Sequence, residues 1–311
     1  MVREGDDAPS FAAPVSLAEL TDRHVFFLRP PPSSAMTDPD PDAGLDEEWA
    51  YDPDADHAFP AERLEAVLSA IRDDVEITTY LEAQNVNPVR RKGYNDHGTE
   101  HVRIVRNRAL RLYELLKRGG VAFNGATQQG LPEADEPVIV ALAATLHDVG
   151  HVVHRADHPY YSIPLAADVL DRLIPGFGFY DAADAVRLKG EVLHAILCHH
   201  TPEEPLTHEA GVVRVADALD MERGRSRIPY EEGGRGINTL SSRAIRDVTL
   251  TPGDATPVLV EIEMVDAAGV YQVDELLKAK LQGSRIEEHV RIIALKTHAD
   301  DEEVLVERIE M

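Results

Sequence analysis

The sequence predicts a mainly α-helical protein: a helical bundle, then a small C-terminal α+β domain, with a disordered acidic tail in front. Three observations predict it. Apolar residues recur at three- and four-residue spacing from Pro60 to about residue 222. Beyond about residue 240 the pattern changes to apolar/polar alternation. The first 56 residues carry 14 acidic side chains, three basic ones and eight of the 20 prolines, too polar a mix to offset its own ordering entropy. The divisions are therefore 1–56, 57–240 and 241–311.

Within the tail, residues 1–35, with Phe26, Phe27 and the Pro30-Pro31-Pro32 run, differ from the Asp/Pro-rich stretch 36–56, which makes Met36 a candidate start of translation. Leu64, Val67, Leu68 and Ile71 mark the first helix, and Val102, Val105, Ala109, Leu112 and Leu116 the next. Further helices are predicted over 137–149, 162–173, 182–200 and 209–222, punctuated by turns such as Pro175-Gly176-Phe177-Gly178. In the C-terminal part Val258–Met264 alternates as a strand, a helix covers about 272–281, and Val290–Leu295 and Val304–Ile309 read as two more strands. An edge strand near 304–309 would suit a homodimer contact.

Composition excludes several classes of function. The longest apolar run, Val138 to Leu146 with Thr145 its one polar member, is nine residues, too short to span a bilayer. The single cysteine, Cys198, rules out an internal disulfide framework and a Cys-rich zinc module, and no secretory pattern opens the chain, so the expected compartment is the cytoplasm. With 31 basic against 56 acidic residues the net charge is −25, which repels phosphate backbones and anionic lipid and argues against an extended nucleic-acid or membrane surface. Arg outnumbers Lys 25 to six, and carboxylates are spread along the chain, the make-up of a halophilic protein of a high-salt cytoplasm.

Chemistry concentrates in the helical part, where nine of the 14 histidines fall between His97 and His200. His101 lies in line with Val105 and Ala109 on the stripe that faces the core. The run Leu146-His147-Asp148-Val149-Gly150-His151 delivers an adjacent His and Asp to the end of an apolar helix, and Asp217 interrupts the apolar face of Val213–Leu219. Burying these carboxylates without a cation costs several kcal/mol. Neutral imidazole and carboxylate suit Mn, Fe, Co or Zn, or Mg with more oxygen ligands.

The order His101, His147-Asp148, Asp217 resembles the H…HD…D signature of the HD superfamily of metal-dependent phosphohydrolases, over roughly residues 90–225. Through the MERGRSRIPYE and YQVDELLKAKL segments the chain is further similar to an archaeal HD phosphatase/phosphodiesterase-like group with an α+β extension. The resemblance implies a helical bundle whose metal ions, one or two, activate water to attack phosphorus. By similarity to two-metal members, His158, His199 and His200 add to the ligands His101, His147, Asp148 and Asp217, with Asp148 bridging. It also implies that His151 serves as proton donor to the leaving group. His194, about 140° around the helix from His199, is left as a core residue or a donor behind the ligands. His97 precedes His101 by four, but Gly98 interrupts the helix that would align them, and His154 is expected in solvent.

Substrate contacts need a local reversal of sign. Arg223, Arg225 and Arg227 alternate in a Gly/Ser-containing stretch just past Asp217, where Arg223 and Arg225 would take the phosphate oxygens; Arg90-Arg91-Lys92 is a second cluster. The predicted function is hydrolysis of a phosphomonoester or phosphodiester on a nucleotide-like small molecule. A di-iron oxygenase of the same fold and a nucleotide-sensing binding module are the alternatives.

Overall fold

The apolar run at the centre of the chain becomes the centre of the fold. In the computed structural model, which describes residues 57–222 and 241–296 and the backbone of 307–310, every residue of the helix Glu136–Leu146 is buried. Its one internal hydroxyl, on Thr145, is satisfied by the Ala141 carbonyl at 2.7 Å. The acidic tail, Met36, Arg223, Arg225 and Arg227 lie outside the described residues.

In chain order the helices are α1 (Glu62–Asp73), α2 (Val75–Ala83), α3 (Thr99–Arg118), α4 (Asn124–Thr127), α5 (Glu136–Leu146), α6 (His158–Leu173), α7 (Ala182–Cys198), α8 (His208–Leu219) and α9 (Lys278–Leu281). Around α5 pack α3, α7 and α8, with α6 against α7. Side-chain caps start several of them: Asp74 accepts from the Ile77 N–H, Asp181 from Ala183 and Asp184, Thr207 from Ala210. Arg108 in the middle of α3, buried, donates to the Leu219 carbonyl and pairs with Glu222, pinning the end of α8 against α3.

The C-terminal strands β1 (Ile245–Pro252), β2 (Val258–Met264), β3 (Val290–Lys296) and β4 (Glu307–Glu310) form one sheet in that order. β1 and β2 run antiparallel, β2 and β3 parallel, β3 and β4 antiparallel. Val258, Val260, Ile262 and Met264 turn the inner face of β2 into the same apolar cluster that holds the bundle together, and β1 and β2 lie against α3. Bundle and sheet thus share a core. Among the described residues no helix is long and apolar enough to cross a membrane.

Several elements differ from the sequence expectation. The helix expected over 137–149 stops at Leu146, because the His147 imidazole donates to the Ala144 carbonyl and closes the turn. That expected to begin at 162 begins at His158, with Pro159 in its first turn, where a missing N–H costs nothing. β1 escaped the alternation test because its register shifts between Ile245 and Asp247, breaking the two-residue period. The segment 272–281 is helical, but Gln272–Leu277 winds as a π-helix before α9.

At the start of α8, buried Glu209 accepts from the Gly125 and Asn124 N–H groups at 2.7 and 3.2 Å. Burial outweighs these bonds and pushes its carboxyl up to about 7 from an ordinary 4.5. A raised carboxyl favours the fold while protonated; the benefit is complete below pH 4.5 and gone above about pH 7. Comparing Glu209→Gln with the wild type by denaturant melts should therefore show the variant gaining relative stability from pH 5 to pH 8, by up to about 3 kcal/mol. A pH-independent difference would contradict this account of Glu209.

Candidate metal centre

The site forms where three helix ends and two helix starts meet. His147 and Asp148 follow the last turn of α5, His199 the last turn of α7, and Asp217 and Asp220 close α8; His101 stands in the first turn of α3 and His158 opens α6. All seven side chains are buried.

Hydrogen bonds on the outer side of each imidazole set its tautomer. The Nδ1 atoms of His147, His158 and His199 lie 2.9, 3.0 and 2.6 Å from the carbonyls of Ala144, Arg155 and Ile196. A carbonyl only accepts, so each Nδ1 carries the proton and each Nε2 faces inward with a bare lone pair. His101 Nδ1 donates to Asp220 Oδ2 at 2.5 Å, with the same result. His147 and His199 each cap a carbonyl three residues back, so one local device ends both helices and aims both rings.

The inward nitrogens then meet in pairs. His101 Nε2 is 3.3 Å from His147 Nε2, and His158 Nε2 is 3.0 Å from His199 Nε2. Two lone pairs at such distances repel unless a cation lies between them, and these are separations expected of nitrogens that share one ion at about 2.1 Å each. Asp148 divides its oxygens between the pairs. Oδ2 stands 3.3 Å from His101 Nε2 and 3.5 Å from His147 Nε2; Oδ1 stands 3.1 Å from His158 Nε2 and 3.6 Å from His199 Nε2. Asp217 Oδ1 joins the first pair at 3.5 Å from His101 and 3.9 Å from His147.

Charge supports this arrangement. Burial alone would raise the Asp148 carboxyl, but His147, His151, His97 and the bond to His101 outweigh it and hold it well below the carboxylate range. Burial pushes the His199 imidazole down to about 3, helped by His147 and His158 against the pull of Asp148, and it lowers His147 as well. Burial thus favours the neutral form of the His147 and His199 rings and their surroundings the ionised form of Asp148, the state that binds a divalent ion.

His151, in the short turn after Asp148, places Nε2 3.5 Å from Asp148 Oδ1 and stacks on His158 with ring centroids 4.1 Å apart. Both of its ring nitrogens are buried without a hydrogen-bond partner among the described residues. Buried polar atoms left open, lone pairs turned on one another and a mixed imidazole/carboxylate set all fit divalent ions held by His101, His147, Asp148 and Asp217 on one side and by Asp148, His158 and His199 on the other.

Among the remaining histidines, His200 and His97 are placed differently from their sequence expectations, whereas His194 and His154 are not. His200 does not reach Asp148: it is exposed, donates from Nδ1 to the Thr201 carbonyl at 2.9 Å, and diverges from His199 where the chain leaves α7. His97, although outside α3, puts Nδ1 2.8 Å from Asp148 Oδ2, because Asn85 Oδ1 holds its backbone N–H at 2.8 Å. His194 turns away, with Nε2 accepting from the Leu206 N–H, and His154 is exposed. Asp220, singled out by nothing but its place three residues after Asp217, is the acceptor behind His101.

Beside His158 a cleft of about 360 Å³ opens to solvent, lined in part by Lys92, Tyr94, Arg155 and His200. Arg155 lies over the Tyr94 ring at 4.5 Å and brings Nη1 to 3.3 Å from His97 Nε2. Arg223 and Arg225, the cations singled out in the sequence, lie outside the described residues.

A helical bundle that gathers buried histidines and aspartates from α3, α5 and α8 in the order His, His-Asp, Asp defines a metal-binding helical domain. The HD domain family matches residues 94–222, and the chain belongs to that superfamily. Over 235 residues, 74% of this chain and 90% of the relative, it is 35% identical to an uncharacterized protein of Methanocaldococcus jannaschii. It is also 36% identical over 170 residues to ribonuclease Y of Desulforudis audaxviator and 28% identical over 163 residues to ribonuclease Y of Thermoanaerobacter pseudethanolicus. These matches span 52% and 50% of this chain but only 30% and 28% of the ribonucleases. No solved structure matches the chain.

Proposed function

We propose that this protein hydrolyses a phosphomonoester or phosphodiester of a small, nucleotide-like molecule with the help of one or two divalent ions. The observation that carries the reading is the pairing of bare Nε2 lone pairs on both sides of Asp148. Ions bound there supply Lewis acidity, which makes water a nucleophile at neutral pH and offsets charge on the phosphoryl oxygens. Asp148 keeps the two subsites together, and Asp217 and Asp220 fix the first of them. His151, held neutral chiefly by burial, takes the proton of the attacking water and returns it to the leaving oxygen. Arg155, and Arg223 and Arg225 by their place in the sequence, take the non-bridging oxygens.

The size of the cleft and the net charge of −25 favour a small ester over a long polyanion. The ribonuclease Y relatives carry an activity on RNA in their name; structured and single-stranded RNA therefore belong among the substrates tested.

Protein purified in molar salt should contain two equivalents of divalent metal by elemental analysis and hydrolyse p-nitrophenyl or bis-p-nitrophenyl phosphate with added Mn²⁺. His158→Ala or His199→Ala should lower the content to about one equivalent and turnover at least about 100-fold. Tightly held iron with O₂ consumption and no ester cleavage would replace the hydrolase with an oxygenase. Nucleotide-induced stabilisation without product would replace it with a sensor.

A further inference from the structure

Lys280, on α9 in the C-terminal part, lies 63 residues beyond Asp217 and outside the matched HD segment, yet its ammonium donates to Asp217 Oδ2. The other oxygen of Asp217 faces His101 and His147. Both partners of this bond are largely shielded from solvent.

The contact is braced from behind. Arg214, buried on α8, donates from Nε to the Lys280 carbonyl at 3.2 Å and from Nη1 to the carbonyls of Cys198 and Glu203, at 3.3 and 2.7 Å, which flank the His199-His200 turn. A Cβ added at Gly211 would lie 1.8 Å from the Ser284 carbonyl oxygen, so α8 and the turn after α9 touch backbone to backbone. The C-terminal part is thus fixed to the same helix that carries Asp217, and Lys280 is aimed by its backbone.

We propose that Lys280 is a working cation of the HD centre, supplied by the C-terminal part: it shares Asp217 with the ion, weakening the ion's hold, and offers its charge to the phosphate of the substrate. The inference rests on reading the site as a metal centre. Two effects of Lys280 on ion binding oppose each other. Orienting Asp217 strengthens binding, by about 10- to 100-fold for such outer contacts. Repulsion between an ammonium and a dication a few ångströms apart weakens it, by about 30-fold even with full water screening and far more as water is excluded. In a shielded site repulsion prevails. The same charge favours an anion beside the ions.

The test uses the full chain, titrated with Mn²⁺ by calorimetry and then, Mn²⁺-loaded, with inorganic phosphate. Lys280→Met and Lys280→Gln should bind Mn²⁺ at least about tenfold more tightly and phosphate at least about tenfold more weakly, while Lys280→Arg stays within about threefold of the wild type on both. Gln keeps a donor without the charge, so a Gln variant that behaves like the wild type overturns the proposal. Unchanged or weaker Mn²⁺ binding in both neutral variants overturns it as well, as does unchanged phosphate affinity. Melting curves of the three variants verify that the C-terminal part remains docked, and the Arg variant keeps the comparison decisive if Met unfolds. Wild-type protein that takes up no Mn²⁺ overturns the metal-centre reading and this inference with it. Mn²⁺ uptake without ester cleavage removes the hydrolase reading alone, since both affinities are still compared.

Discussion

Asp148→Asn is expected to empty both ion subsites at once and to leave less than about 0.1% of the ester hydrolysis of the wild type. Among the described residues no other side chain presents one oxygen to His101 and His147 and the other to His158 and His199. The change conserves shape and removes the charge. Only neutral ligands then face a divalent ion on the second side, and on the first side Asp217 is the one carboxylate left among the ligands, itself bonded to Lys280. Elemental analysis and Mn²⁺ titration give the ion content directly, and turnover of p-nitrophenyl phosphate gives the rate. A variant that keeps an ion at full occupancy would show that the site is built around another carboxylate, and retained turnover would discard the mechanism.

Gly150→Ala should cost about 3 kcal/mol of stability, about 6 °C in Tm for a chain of this size, through a single methyl group. A Cβ at residue 150 would stand 2.1 Å from the His158 carbonyl oxygen and 2.6 Å from the Ser162 nitrogen, both backbone atoms of α6. Neither can swing aside, so α6 must slide as a whole. Ser162 ties the same turn from the other side, its hydroxyl accepting from the Gly150 N–H at 2.8 Å and donating to the His147 carbonyl at 2.7 Å. Displacing α6 carries His158 away from His199 and Asp148, so the loss of stability should come with selective loss of the second ion. Thermal melts and ion titration of the variant check both parts; an unchanged melt with two ions bound would mean that α6 is less firmly seated than these contacts imply.

Much of this site can be read from the chain before folding. His147, Asp148 and Asp217 interrupt runs of apolar neighbours and His101 falls in line with an apolar helical stripe, and a polar side chain forced into such surroundings must find a partner, which a cation supplies. His200 and His97 show the limit of that reading. His200 adjoins His199 in sequence but stands at the exposed edge of the centre, against the His158 ring and away from Asp148, since a helix end turns successive side chains apart; His97, cut off from α3 by Gly98, enters because Asn85 on a separate segment holds its backbone.

By itself the sequence determined the helical class, the apolar stripes that form the core, the alternating strand β2 and the residue types that demand a metal, because periodicity and local burial are properties of neighbours along the chain. Only the tertiary structure decided which oxygen of Asp148 serves which histidines, that Asp220 stands behind His101, and that Lys280 reaches Asp217. Those are meetings between residues tens of positions apart. Their distances follow from how α3, α5, α6, α7, α8 and α9 pack around one another, and no local pattern records that.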